Sequence, residues 1–361
     1  MRRIPIQNMY YILCYAWGMG EMRGKVNVGV VGCPTLSDLM VHILLNATDD
    51  LLKHGLSQGY TICGDEKDGI KGKIDIGETV KLGRYRQGRM YCHYDELTSD
   101  ILINQIIFST LMDAVNIKGL SCENKDRIVK TLRRMPQTRR IRITDHALNS
   151  VRLHRNNRYY YFALNVCKLL HQSILPNESV AGNHVFLDIM DDERLMNRIF
   201  EKFLMNFYKQ ECKQDYPEVS RSHIRFQLTP YGMTFSKSTD EAFALLPVME
   251  TDVTLYNPQT KKKIILDAKY YKDTLVSRYG ENGKIRRDHL SQILTYVMNQ
   301  ESNAQPYTMD TKGILVYPTV DTEIDVSYVY KNTSHIIRVS TVNLNQDWNM
   351  IEQRLKEIIC N

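Results

Sequence analysis

The chain has 361 residues, of which 43% are hydrophobic and 24% charged, with a formal net charge of +6. That length supports a sizeable core and two domains, three at most, and no apolar run approaches the ~20 residues of a membrane helix, so no membrane partner is expected. The eight cysteines are spread almost evenly, without a C-x-x-C pair. No histidine cluster has zinc-ligand spacing either, which argues against a disulfide framework or zinc centre and for reduced thiols in the cytoplasm.

In chain order, "MRRIPIQNMYYILCYAWGMG" joins a basic start to an apolar patch, but Pro5, Gln7 and Asn8 interrupt it. It reads as folded domain, not as a signal peptide. Helical periodicity follows over 36–53, 100–116 and 159–174. Between the first two, short alternating stretches among glycines over 69–97 suggest a small β element in a mainly helical N-terminal half. Residues 133–158 hold eight arginines and one aspartate, so this segment nets +7 and the remainder −1. Such a patch is a footprint for phosphate or an acidic partner, or else a solvated face.

The clearest break is "LPNESVAGN" at 175–183, which places a domain boundary there: 1–175 on one side, 184–361 on the other. A helix is expected over 191–210, with acids in its first turn and apolar residues at 195, 196, 199, 200, 203, 204 and 207. Then come a hairpin over 252–271, a helix over 287–300, a buried strand over 313–318, strands near 326–342 and a closing helix from 347. That order is a mixed-sheet α/β domain.

The hairpin carries Asp252, Asp267 and Lys269 where strands favour Val or Ile. Pairing Leu255 with Ile264 and Val253 with Leu266 puts Asp252 opposite Asp267, with Lys269 on the same face as Asp267. Facing carboxylates repel across a sheet, so a positive charge is expected between them. Mg²⁺, which takes one or two carboxylates plus waters and phosphate, meets that need. Lys269 is then placed to orient or deprotonate an attacking water and to stabilise charge growing on phosphorus, giving metal-assisted phosphodiester hydrolysis. The alternative is a surface hairpin whose acids pair with Lys269 and the lysines at 261–263.

Asp252, then Asp267-Ala268-Lys269 after an apolar strand, resembles the PD-(D/E)xK nuclease motif in its D-x-K form, with Thr251 at the proline position. "QILTY" resembles the Q-h-x-x-Y motif of RecB-like members, with Gln292 and Tyr296 one helical turn apart. The resemblance implies that these two support the site and contact DNA, and that an acid on the preceding helix, best matched by Glu201, joins Asp252 and Asp267 at the metal.

A longer series of stretches is similar to the McrC family, the nuclease subunit of McrBC modification-dependent restriction systems: "IPIQNMYYILCYAWG", "GIKGKID", "YDELTSDILINQIIFSTL", "RYYYFALNVCKLL", "FEKFLMNFY", "LLPVMETDVTL", "DAKYY", "LVYP" and "TVNLNQDW". The resemblance implies a mainly helical docking half followed by a PD-(D/E)xK-type mixed α/β domain. It implies a Mg²⁺-dependent endonuclease for double-stranded DNA, and a McrB-like AAA+ GTPase ring as the partner that binds GTP and recognises methylated DNA. The chain has no G-x-x-x-x-G-K-[ST] loop of its own, in keeping with a motor on another chain. Two other readings stay open: a stand-alone RecB- or Cas4-like exonuclease, though the clustered cysteines of many such proteins are absent, and a non-catalytic adaptor of a ring NTPase.

Overall fold

The structure is a computed structural model that describes residues 4–18, 20, 35–176, 184–186, 192–229, 239–270, 284–319 and 323–360. The chain divides into two compact units: Cys33–Leu187, and Met1–Gly32 together with Asp188–Asn361. The division falls close to the expected break, of which 177–183 lies outside the described residues. The first 32 residues, however, belong with the C-terminal unit, which corrects the expected domain 1–175.

The reason is the packing of helix α1 (Ile6–Ala16), which buries Met9, Tyr10, Ile12, Leu13 and Tyr15. Asn8 Nδ2 donates to the carbonyls of Leu344 and Gln346, both at 2.8 Å. Tyr11 meets Trp348 edge-on with centroids 4.9 Å apart, Tyr15 stacks on the same ring at 5.8 Å, and the Tyr15 hydroxyl donates to Glu211 Oε1 at 2.6 Å. An aromatic helix of this kind is stabilised by other aromatics. Its partners lie about two hundred or more positions away, where periodicity gives no sign of them.

In the Cys33–Leu187 unit, helix α2 (Leu36–His54) packs against later helices, and the same unit forms a three-stranded antiparallel sheet. The strands are β1 (Gly59–Asp68), β2 (Lys73–Ile74) and β3 (Arg89–Thr98), ordered β1-β3-β2. The β element is thus real, but its first strand precedes the stretch that the glycines marked. Helices α3 (Leu102–Ala114) and α5 (Tyr161–Ser173) match their periodicity; between them α4 (Cys122–Arg134), capped by Ser121, has only Asn124, Ile128 and Thr131 fully buried. Arg134, Arg139 and Arg140 pair with Asp49, Asp100 and Asp113 at 2.6–2.7 Å, so part of the basic segment is neutralised within its own unit.

The other unit is an α/β/α sandwich. Helix α6 (Glu193–Glu211) leads to strands β4 (Glu218–Ser220), β5 (His223–Arg225), β6 (Val248–Glu250), β7 (Val253–Asn257) and β8 (Lys262–Ala268). Helix α7 (Arg287–Asn299), strands β9 (Lys312–Thr319), β10 (Asp325–Val329) and β11 (Ile336–Asn343), and helix α8 (Trp348–Cys360) complete it. The six-stranded sheet runs β10-β11-β9-β8-β7-β4, with β8, β9 and β11 mutually parallel and the other pairs antiparallel. On one face Ile293, Tyr296 and Val297 of α7 pack with Ile265, Leu315, Tyr317, Ile337 and Val339. Gly313 permits that approach, since a Cβ there would come within 2.8 Å of Ile293. Arg338 alternates to the other face and donates to Ile358 O of α8 at 2.9 Å; the Tyr208 hydroxyl of α6 donates to Leu355 O at 3.0 Å.

Candidate active site

The β7–β8 register is the one the apolar pattern predicts, Ile264 against Leu255 and Leu266 against Val253. The ladder stops there, and Asp252 turns its Oδ2 to accept the Ala268 N–H at 2.8 Å instead of continuing straight opposite Asp267. The other side of β8 is occupied by β9, with Asp267 beside Leu315, and the Lys269 N–H donates to Val316 O at 3.0 Å. Asp267 therefore stands on a central strand and Asp252 just before the strand beside it, not on a surface hairpin. A parallel central strand is covered on both faces, and Asp267 is accordingly 0% exposed.

A carboxylate there is costly unless it is paired. Asp267 Oδ1 is buried without a hydrogen-bond partner, and Oδ2 lies 2.7 Å from Lys269 Nζ. Burial pushes its carboxyl up to about 7, with Asp252 and Glu201 adding to the rise and Lys269 opposing it. Asp252 is also raised, first by burial. Glu201 is raised by burial and then by Asp252. The three acids thus share one electrostatic field.

Lys269 is held by a chain of hydrogen bonds. Its Nζ donates to Gln292 Oε1 at 2.8 Å, Gln292 Nε2 donates to the Tyr296 hydroxyl at 2.7 Å, and that hydroxyl donates to Glu250 O at 3.0 Å. Residues four apart on α7 thereby link the lysine to the backbone two residues before Asp252. Thr251, fully buried, fixes the same corner: its Oγ1 accepts the Ser222 N–H at 2.9 Å and lies 2.9 Å from Thr254 Oγ1.

Glu201 comes from α6 with its oxygens engaged by Asn197 Nδ2 at 2.6 Å and Arg221 Nη2 at 3.3 Å; Asn197 Oδ1 in turn accepts the Tyr270 N–H at 2.9 Å. Sequence reasoning did not single out Asn197 or Arg221. The four-residue spacing from Glu201 could have revealed Asn197, whereas Arg221 sits in a two-residue break between β4 and β5 with no pattern to mark it. Tyr271 of the "DAKYY" stretch lies outside the described residues.

Among the described residues, no three acidic, histidine or cysteine side chains form a ready metal cage. The residues nonetheless fit Mg²⁺, which needs only one or two carboxylates and completes its shell with water and phosphate. The buried Asp267 Oδ1, lacking a donor, and the raised Asp252 beside it are oxygens that a cation would satisfy. Asp252 and Asp267 are the residues to hold it, with Glu201 adjoining.

Fold and site define a mixed α/β protein with a buried carboxylate–lysine centre at the ends of adjoining strands. The family model described as "McrBC 5-methylcytosine restriction system component" matches residues 7–318. The chain belongs to that family. It is 30% identical over 356 residues to the type IV methyl-directed restriction enzyme EcoKMcrBC of Escherichia coli (strain K12), covering 98% of this chain and 97% of that protein. It is also similar in fold to a chain in the refined half-complex from a tetradecameric assembly of Thermococcus gammatolerans McrB AAA+ hexamers with bound McrC. That match has a TM-score of 0.55 at 15% identity and covers 98% of this chain and 76% of the other. No described helix is long and apolar enough to cross a membrane.

Proposed function

We propose that this chain is the nuclease subunit of a McrBC-like restriction complex, a cytoplasmic Mg²⁺-dependent DNA endonuclease of the PD-(D/E)xK type. In this reading the Cys33–Leu187 unit docks on a McrB-like AAA+ GTPase ring and stimulates it, while the ring binds GTP and recognises methylated DNA. The observation that carries the nuclease reading is Asp267, a fully buried carboxylate beside Asp252 and Lys269. A purely structural strand gains nothing from such a group. An adaptor would have no use for it, since a buried charge costs stability. The ring partner is supported by the likeness to the Escherichia coli restriction enzyme and by the McrB hexamers with bound McrC in the Thermococcus assembly.

When bound, Mg²⁺ supplies electrophilic stabilisation of the charge that develops on the phosphate. Asp252 and Asp267 would hold it, and its charge would offset the burial that raises both carboxyls. Lys269, aimed by Gln292, presents a positive charge to the phosphate and to an attacking water. Tyr296 holds Gln292 in place. Asn197 sets the Glu201 carboxylate against the backbone that follows Lys269.

The test is cleavage of closed circular 5-methylcytosine DNA by the chain with its ring partner, GTP and Mg²⁺. The wild type should linearise the circle, whereas Asp252→Ala, Asp267→Ala and Lys269→Ala should leave it intact. EDTA should stop the reaction, and Ca²⁺ should support it poorly because its looser coordination places groups less strictly. Cutting in chelator would refute the metal reading, and wild-type rates in the three variants would refute the site. Digestion of linear DNA alone, without the partner, would favour the exonuclease.

A further inference from the structure

Arg221 has no part in the chemistry above. It stands in the two-residue break between β4 and β5, and the backbone of that break is stitched to the residue just before Asp252: the Ser222 N–H donates to Thr251 Oγ1 at 2.9 Å, and the Thr251 N–H donates to Ser222 O at 3.0 Å. The guanidinium is much less constrained. With its side chain 36% exposed, it reaches Glu201 Oε2 at 3.3 Å and Glu250 Oε1 at 3.7 Å. Charge-assisted pairs close to about 2.7–2.9 Å when they are tight, so both contacts are loose. Neither carboxylate takes the planar fork in a bidentate manner.

Four acids meet at this corner: Arg221 reaches Glu201 and Glu250, the Asp252 carboxylate accepts the N–H that follows Asp267, and Asp267 faces Lys269. Among the described residues, the cations facing them are Lys269 and Arg221. Lys269 is committed to Asp267 and Gln292. Of the two, Arg221 has the longer contacts, to a Glu201 side chain 18% exposed and a Glu250 side chain 48% exposed, and long single-point pairs of this kind exchange readily.

Resting on the nuclease reading, we infer that Arg221 is a substrate-binding residue of this centre, whose guanidinium exchanges Glu201 and Glu250 for a phosphate of the DNA strand. A divalent cation held by Asp252 and Asp267 draws on the Glu201 charge and repels the guanidinium. A phosphate arriving at the same corner offers the oxygen pair that the guanidinium fork matches best. The stitched backbone keeps Arg221 within reach of the Asp252 end of the site while its side chain moves.

The experiment uses the full chain with Ca²⁺, measuring metal affinity by calorimetry without DNA and the affinity for a short duplex by fluorescence anisotropy over a range of salt. Arg221→Gln should bind Ca²⁺ as well as the wild type or up to about three-fold tighter, because a competing cation is gone. It should bind DNA roughly ten-fold more weakly, and its salt slope should be shallower by about 0.9, the value of one lost phosphate contact. Arg221→Lys should restore Ca²⁺ binding to the wild-type level, recover the salt slope and regain only part of the DNA affinity.

A merely structural role predicts parallel loss of metal and DNA binding through a displaced Glu201, and that result would overturn the inference. So would wild-type DNA affinity and slope in Arg221→Gln, or wild-type DNA binding that does not respond to Ca²⁺. Asp267→Asn, measured alongside, separates the two levels. If it binds Ca²⁺ like the wild type, the metal centre itself is wrong; if it loses Ca²⁺ while Arg221→Gln keeps full DNA affinity, only the role of Arg221 fails.

Discussion

Replacing Asp267 by asparagine turns a buried carboxylate into a neutral amide of the same shape, and the consequence for stability can be worked out from its surroundings. Its carboxyl is raised from 3.8 to about 7 by burial and neighbouring acids. Three units correspond to about 4 kcal/mol as a ceiling, of which relaxation of the site leaves roughly 1–3 kcal/mol. Because the folded-state value is raised, the stabilisation is fully present below about pH 4 and is lost as pH rises through about 7. The amide does not titrate, and its oxygen can still accept from Lys269. Asp267→Asn should therefore match the wild type at about pH 4 and exceed it by about 5 °C in melting temperature at pH 8 in EDTA, taking ~2–4 °C per kcal/mol. Both tryptophans, Trp17 and Trp348, belong to the unit that carries the site, so intrinsic fluorescence follows its unfolding. Mg²⁺ should then stabilise the wild type but not the variant. Equal destabilisation of the variant at both pH values would refute the reasoning.

Tyr296→Phe removes one hydroxyl from the chain that aims Lys269 and should slow cleavage about ten-fold, whereas Gln292→Leu, which takes away the lysine's acceptor, should cost about a hundred-fold; single-turnover rates in the full complex check the order. Arg338→Ala should destabilise the sandwich by roughly 2–4 kcal/mol in urea titrations, since it leaves Asp325 with Arg354 and uncovers the Glu357 and Ile358 carbonyls. A Cys33–Leu187 fragment should fold and raise GTP turnover by the ring, while a 1–175 fragment should aggregate because α1 lacks its partners; stimulation by the longer fragment alone would place α1 in the docking surface.

The sandwich was largely legible because its helices and strands are long and strongly patterned. The apolar alternation of β7 and β8 gave the correct register, and the four-residue spacing of Gln292 and Tyr296 gave the correct helix face. The burial of Asp267 was not legible: whether β8 is an outer or a central strand depends on β9, some fifty residues later, and no local pattern encodes that neighbour. Helix α4 was missed because its inward face is short and two of its three buried residues are polar, and β1 because "GYTICGDEKD" is too charged to resemble a strand. Arg221 escaped notice since a residue in a break between strands acquires meaning only from what the fold brings near it.

The packing of α1 also has a consequence for how the molecule is made. Helix α1 has its binding surface on α6 and at Trp348, which are synthesised on the order of tens of seconds after it at ~5–20 residues per second. In the interval the intervening unit, whose contacts lie within Cys33–Leu187, has all of its residues and can fold while α1 waits. The unit that carries the carboxylate–lysine centre consequently closes after the Cys33–Leu187 unit can fold. A chain interrupted anywhere before Trp348 lacks the ring that seats Tyr11 and Tyr15, so α1 stays without its aromatic partner until that ring has been made.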